Sequence, residues 1–75
     1  MSKAEILKKQ AFENIYSQIE MMVENAVAQG KISTAIAYPF FQKNNELLKY
    51  VIDRLVEDGF VLRMYQDRME VRFDE

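Results

Sequence analysis

The sequence predicts an α+β fold: a two-layer αβαββ sandwich in which two helices pack on one face of a three-stranded mixed sheet. Three observations carry this. Apolar residues recur every three or four positions over residues 3–29 and again over 45–58, the spacing of one helix face. Over 31–38 and 60–73 the period shortens to two, the spacing of strands. The two glycines, Gly30 and Gly59, stand where each helical run stops. A chain of 75 residues has the length of one small domain, so a single unit over 1–75 is expected.

The first helix starts on Ser2-Lys3-Ala4-Glu5, where the serine hydroxyl can accept from the Glu5 amide while the glutamate reaches back, a capping box. Its inward residues are expected to be Ala4, Leu7, Ala11, Ile15, Ile19, Met22 and Ala26, widened by Phe12, Tyr16, Val23 and Val27. Lys9, Glu13, Glu20 and Glu24 take the opposite face. The strand over 31–38 places Ile32, Thr34, Ile36 and Tyr38 on one side and the small residues Ser33, Ala35 and Ala37 on the other. It must finish at Pro39, which has no N–H for a ladder, and residues 40–43 form a short connection. Asn44 is the N-cap of the second helix, whose core face is Leu48, Val51, Ile52 and Leu55 with Leu47 and Val56 beside it. Gly59 at its C′ position sets Phe60 against Leu55.

A two-residue turn at Gln66-Asp67 pairs Met64 with Met69, Leu62 with Val71 and Phe60 with Phe73 on one face of the terminal hairpin. Tyr65 with Arg68, Arg63 with Glu70 and Val61 with Arg72 then share the other. The turn lacks the glycine that tight hairpins favour, so a three-residue loop with a bulge is the alternative. A right-handed crossover through the second helix puts that helix, and the first beside it, on one sheet face and leaves the other bare. Whether the last strand lies at the edge or between the other two is open. Asp74 and Glu75 form an acidic end.

Composition narrows the function classes. Ten basic and twelve acidic residues nearly balance, well short of the excess that marks a dedicated nucleic-acid binder. No apolar run reaches the ~18 residues of a membrane span. Without cysteine or histidine there is neither a disulfide nor an ordinary structural zinc site, and no cofactor is expected. Residues 1–10 carry Lys3, Lys8 and Lys9 but no apolar run like that of a signal peptide, so a cytoplasmic location is expected. A domain this short buries only about 60% of its unfolded surface, and with other staples excluded, oligomerisation is the expected source of added stability.

The run Asn44-Asn45-Glu46-Leu47-Leu48 onward through residue 61, with the capped first helix, the short strand and the terminal hairpin, resembles a broad group of small phage-encoded proteins. Their middle helix closes on Leu-x-x-x-Gly-aromatic-x-Val. Residues 55–61 approach that pattern, with Leu62 rather than Val61 on the inward alternation. The resemblance implies a viral origin, a compact αβαββ unit, and a place in the host cytoplasm or in a virion. Its residues are cap, turn and core residues, and it carries over no catalytic or binding residue.

No residue set points to catalysis. Without His or Cys, a nucleophile would have to come from Ser17, Ser33, Thr34 or a lysine, and none stands in a nucleophile turn. Asp53 and Glu57 share a helix face but read as solvated charges beside Arg54. Both glycines end helices, so there is no phosphate loop. The expected activity is binding. The bare sheet face, with Ser33, Ala35 and Ala37 permitting close approach and Arg63, Tyr65, Arg68 and Arg72 as anchors, is the expected surface for a host or viral protein. The same arginines and tyrosine could instead hold single-stranded DNA or RNA, against which Glu70 and the single aromatic residue count.

A helix over 3–29 would be about 40 Å long, against about 20–27 Å for strands of six to eight residues. Ile6, Leu7, Ala11 and Phe12 are then expected to outrun their own sheet and to meet a second copy, giving a homodimer. The alternative is a break or bend near Gln10 that folds these residues back onto the core, or fraying of the first two turns.

Overall fold

The computed structural model describes residues 2–73. In chain order it contains α1 (Lys3–Ala28), β1 (Ser33–Ala37), a 3-10 turn (Tyr38–Phe41), α2 (Asn45–Glu57), β2 (Val61–Met64) and β3 (Arg68–Arg72). It is a small α+β fold of two helices on a three-stranded sheet. Asp74 and Glu75, the expected acidic end, lie outside the described residues.

Both helices begin on the anticipated residues and end one residue short of the anticipated last one. The Ser2 hydroxyl accepts from the Glu5 amide at 3.2 Å, and the Asn44 side chain accepts from the Leu47 amide at 3.1 Å. Each helix ends in a Schellman motif. Lys31 N–H donates to the Ala26 carbonyl and Gly30 N–H to that of Val27, while Phe60 N–H donates to Leu55 and Gly59 N–H to Val56, all at 2.9–3.0 Å. Gly30 and Gly59 hold φ of 78° and 93°, a region that penalises a Cβ.

The sheet order is β1-β3-β2, and both pairings are antiparallel. The expectation of a mixed sheet is therefore corrected: β1 and β2 do run in the same direction, but β3 separates them. The tight hairpin fixes β2 beside β3, and β1 takes the free side of β3 rather than that of β2, so Met69 and Val71 on the inner face of β3 are fully buried, whereas in β2 Leu62 is half-buried and Met64 exposed. As the central strand, β3 has these residues covered from both flanks. The hairpin register is the expected one, with Met64 opposite Met69, Leu62 opposite Val71, Arg63 opposite Glu70 and Val61 opposite Arg72. Tyr65 N–H donates to the Arg68 carbonyl at 2.8 Å, so the turn is Gln66-Asp67, and the Phe60 and Phe73 rings meet edge-on at 6.3 Å. The 3-10 turn begins as Pro39 ends the strand, and Gln42 and Lys43 after it both adopt positive φ.

α1 is continuous, with no bend at Gln10, and it does outrun the sheet: the molecule extends 42 Å along its longest axis. What covers its first half is α2. Lys8 Nζ lies 2.6 Å from Glu46 Oε1, the Phe12 and Tyr50 rings are 5.5 Å apart, and the Arg54 guanidinium sits 4.5 Å from the Tyr16 ring centroid. Four residues on α1 match four on α2 at each step, so the helices run side by side in the same direction. This arrangement corrects one expected interface residue: Phe12 is only 9% exposed and belongs to the core with Tyr16, Ile19, Val51 and Leu55. The buried stripe of α1 is turned toward α2, centred on Phe12, Tyr16, Ile19 and Ala26, while Ala4, Leu7, Ala11 and Val27 are exposed and Ile15 and Met22 are half-buried. In α2 the stripe is likewise shifted, to Leu47, Val51 and Leu55, with Val56 exposed.

Candidate functional site

The strand alternation sends Ile36, Met69 and Val71 into the core under the helices and turns the intervening residues to the opposite face. Three rows cross that outer face. Ala35, Glu70 and Arg63 form the middle row; Ser33, Arg72 and Val61 form one flank; Ala37 and Arg68, with Tyr65 at the start of the turn, form the other. The seven residues singled out for partner binding thus share one surface. Ala35, Ala37, Arg63, Tyr65 and Arg68 are exposed on it, and Ser33 and Arg72 are half-buried.

The charges on this face are partly spoken for. The Arg68 guanidinium lies 4.5 Å from the Tyr65 ring centroid and donates to Asp67 Oδ1 at 2.8 Å, while the Tyr65 carbonyl accepts from the Tyr38 hydroxyl at 2.6 Å. Tyr65 and Arg68 are therefore held as one stacked unit. The ion pair on Glu70 comes from Arg72, two residues along the same strand at 3.5 Å, rather than from Arg63 opposite it. Glu70 Oε1 is buried and accepts no hydrogen bond among the described residues. Arg63 extends into solvent and makes no ion pair among the described residues.

A second polar group joins the helices. Tyr16 hydroxyl donates to Asp58 Oδ2, and Arg54 donates to the Tyr50 hydroxyl at 2.7 Å while covering the Tyr16 ring. Arg54 thus serves the tyrosines rather than Glu57. Burial, followed by the hydrogen bond to Asp58, holds the Tyr16 phenol well above its usual range, so it is a protonated donor at neutral pH and no nucleophile. The group is a clasp between α1 and α2.

Sequence reasoning missed an apolar cleft of about 650 Å³ at the end of the sheet, lined by Tyr38, Pro39, Phe41, Leu48 and Met64 with Lys43 and Asn44 on its rim. The run Tyr-Pro-Phe-Phe after a strand was its only sequence signal, since nothing local says that Leu48 and Met64 arrive beside it. Of the four residues expected at an oligomer interface, Ile6 and Leu7 are 43% and 52% exposed and Ala11 is exposed, while Phe12 is internal. Leu7, Ala11, Asn14, Gln18 and Met21 make an uncharged, exposed stripe at alternating steps of four and three.

No helix is long and apolar enough to cross a membrane among the described residues. The chain matches no protein-family model, and no curated protein or solved structure matches it.

Proposed function

We propose that this chain is a non-enzymatic interaction protein that binds a host or viral protein through the outer face of its sheet. The observation that carries the reading is the sheet's asymmetry. Both helices pack on one face, and the other presents the Arg68–Tyr65 stack, an exposed Arg63 and the small Ala35 and Ala37. Arginine and tyrosine anchors beside small residues suit the centre of a protein interface, where flat backbone allows close approach. Self-association through α1 belongs to the same proposal. With Phe12 inside, it rests on Leu7, Ala11 and Met21 along the uncharged stripe, and on Ile6 beside it. A phage origin and action in the host cytoplasm are likewise part of this reading, supported by the resemblance carried by residues 44–61.

The test is capture of a partner by the tagged chain and by the Arg63→Glu/Arg68→Glu variant, both checked for unchanged thermal unfolding. The proposal expects a defined protein that crosslinks to β2 or β3 and is lost with the variant. Equal capture by both chains would contradict it. The second reading, single-stranded nucleic acid on the same face, is favoured by the Arg68–Tyr65 stack alone. It predicts that binding to a fluorescent oligo-U falls about twentyfold between 50 and 200 mM salt if three arginines contact phosphate.

A further inference from the structure

We propose that the free edge of β1 is a docking groove for an extended, lysine- or arginine-bearing segment of a partner protein, which adds as a fourth strand beneath α1. The proposal rests on the reading of the chain as a binding module and specifies a second, edge-on mode of engagement.

The backbone supplies the first half of the case. Ile32 C=O accepts from Phe73 N–H, and Tyr38 N–H donates to the Asp67 carbonyl, so the even-numbered residues of this strand face β3. The N–H and C=O groups of Ser33, Ala35 and Ala37 therefore point away from the sheet, and no hydrogen bond among the described residues occupies them. Edges of this kind are ordinarily blunted by charge, proline or a bulge. Residues 32–37 contain no charge and no proline, and the register with β3 runs without a bulge. The other edge, β2, carries the exposed Arg63. Of the two edges, β1 is the one whose strand carries no charge.

The walls supply the second half. A groove of about 480 Å³ lies along this edge, with Met22, Asn25 and Gln29 of α1 above and Ser33, Ala35 and Glu70 below. Glu70 lines that space, and its carboxylate is paired only loosely: Oε1 is buried and accepts no hydrogen bond among the described residues, with the Arg72 guanidinium at 3.5 Å. A strand added about 4.8 Å beyond β1 places the residue opposite Ala35 about 10 Å from β3, a gap that a lysine or arginine side chain and the Glu70 side chain close together over the Ala35 methyl. The flanking residues of such a segment turn toward Met22 and Thr34 and would be apolar. A second copy fits this edge poorly. Pairing two β1 strands would set two α1 helices over adjacent strands about 5 Å apart, where packed helices need 8–10 Å.

The probe is the peptide acetyl-TVKVKVT-amide, with a counterpart carrying glutamate for both lysines, titrated into the isotope-labelled full chain. Amide exchange at Ser33, Ala35 and Ala37 should slow about tenfold or more on saturation with the lysine peptide, since backbone pairing protects those N–H groups. Glu70→Gln should weaken binding about tenfold, and Ala35→Pro, whose lost N–H faces away from β3, should weaken it at least as much. If Ala35→Pro does not fold, Ala35→Lys tests the same edge by repulsion. Unchanged exchange at millimolar lysine peptide, equal binding of the glutamate peptide, or full binding by the edge variants would overturn the proposal. Loss of the peptide effect while Arg63→Glu/Arg68→Glu still abolishes partner capture would remove the edge mode and leave the outer-face reading standing.

Discussion

Replacing Phe12 by alanine separates the two roles that this residue could have had. If it sits between α1 and α2, as its 9% exposure and its ring contact with Tyr50 place it, the substitution removes a buried aromatic side chain and leaves a cavity that two packed helices can only partly close. Such changes cost about 3–5 kcal/mol, and the lower end suits a residue that keeps some solvent contact. A domain of this size has a total stability of roughly 4–11 kcal/mol, so the variant would retain a marginal fold. In urea, with an m-value near 1 kcal/mol/M, the midpoint should fall by about 3 M. The shift should be the same at 5 and at 200 μM chain, concentrations chosen here to expose any contribution from association. Leu7→Ala, at a half-exposed site, should move the midpoint by less than about 0.7 M in dilute solution. A Phe12→Ala midpoint within about 0.5 M of the parent, with a concentration-dependent loss of self-association, would refute the internal placement and return Phe12 to an interface between copies.

Three further outcomes follow from the same geometry. Tyr16→Phe removes the donor to Asp58 while keeping the ring under Arg54, and should cost about 1.5–3 kcal/mol by chemical denaturation at pH 7. Because the folded Tyr16 holds its proton above the range where an unfolded tyrosine ionises, its contribution is complete below about pH 10 and is lost as pH rises further. The parent should therefore lose stability faster than Tyr16→Phe above pH 10, and parallel curves there would contradict the clasp. Gly59→Ala meets no atom within 4 Å but must hold φ near 93°, so its cost should be backbone strain of about 1–2 kcal/mol, with Asn at the same position costing less. Lys8→Ala breaks an exposed ion pair with Glu46 and should leave the urea midpoint within measurement error, whereas a large loss would mean that this pair, and not Phe12–Tyr50, holds the helices together.

The elements were legible in the sequence because each has a local cause. The side chains of Ser2 and Asn44, the positive φ at Gly30 and Gly59, and the change of period after residue 59 all act within a few residues of themselves. The hairpin register could be read for a similar reason: one pairing sets Met64, Met69, Leu62 and Val71 on the same, helix-facing side, and a slip by one would bring arginine to it. What could not be read is how the pieces meet. The place of β3 between the other strands depends on which side of the hairpin β1 joins, and the flank of α1 that faces inward depends on α2 lying parallel to it. That neighbour turned the buried stripe toward Phe12 and Tyr16 and left Leu7 and Ala11 outside. The outer face was readable residue by residue from alternation. Its internal pairing was not: Arg72 rather than Arg63 reaches Glu70, and alternation, which sets both arginines beside it, does not choose between them. The cleft beside Phe41 and the groove along β1 each join segments far apart in the chain, and no local pattern announces them.

The central claim, a sheet with one face left open for a partner, is tested most directly by solvent paramagnetic relaxation of the methyl groups in dilute, isotope-labelled protein. The account predicts strong relaxation at Ala35 and Ala37 and protection at Ile36, Met69 and Val71, which lie on the same strands but turn inward. Ala35 and Ala37 protected to the same degree as Ile36 would mean that something already covers the outer face, and the proposed binding surface would not exist.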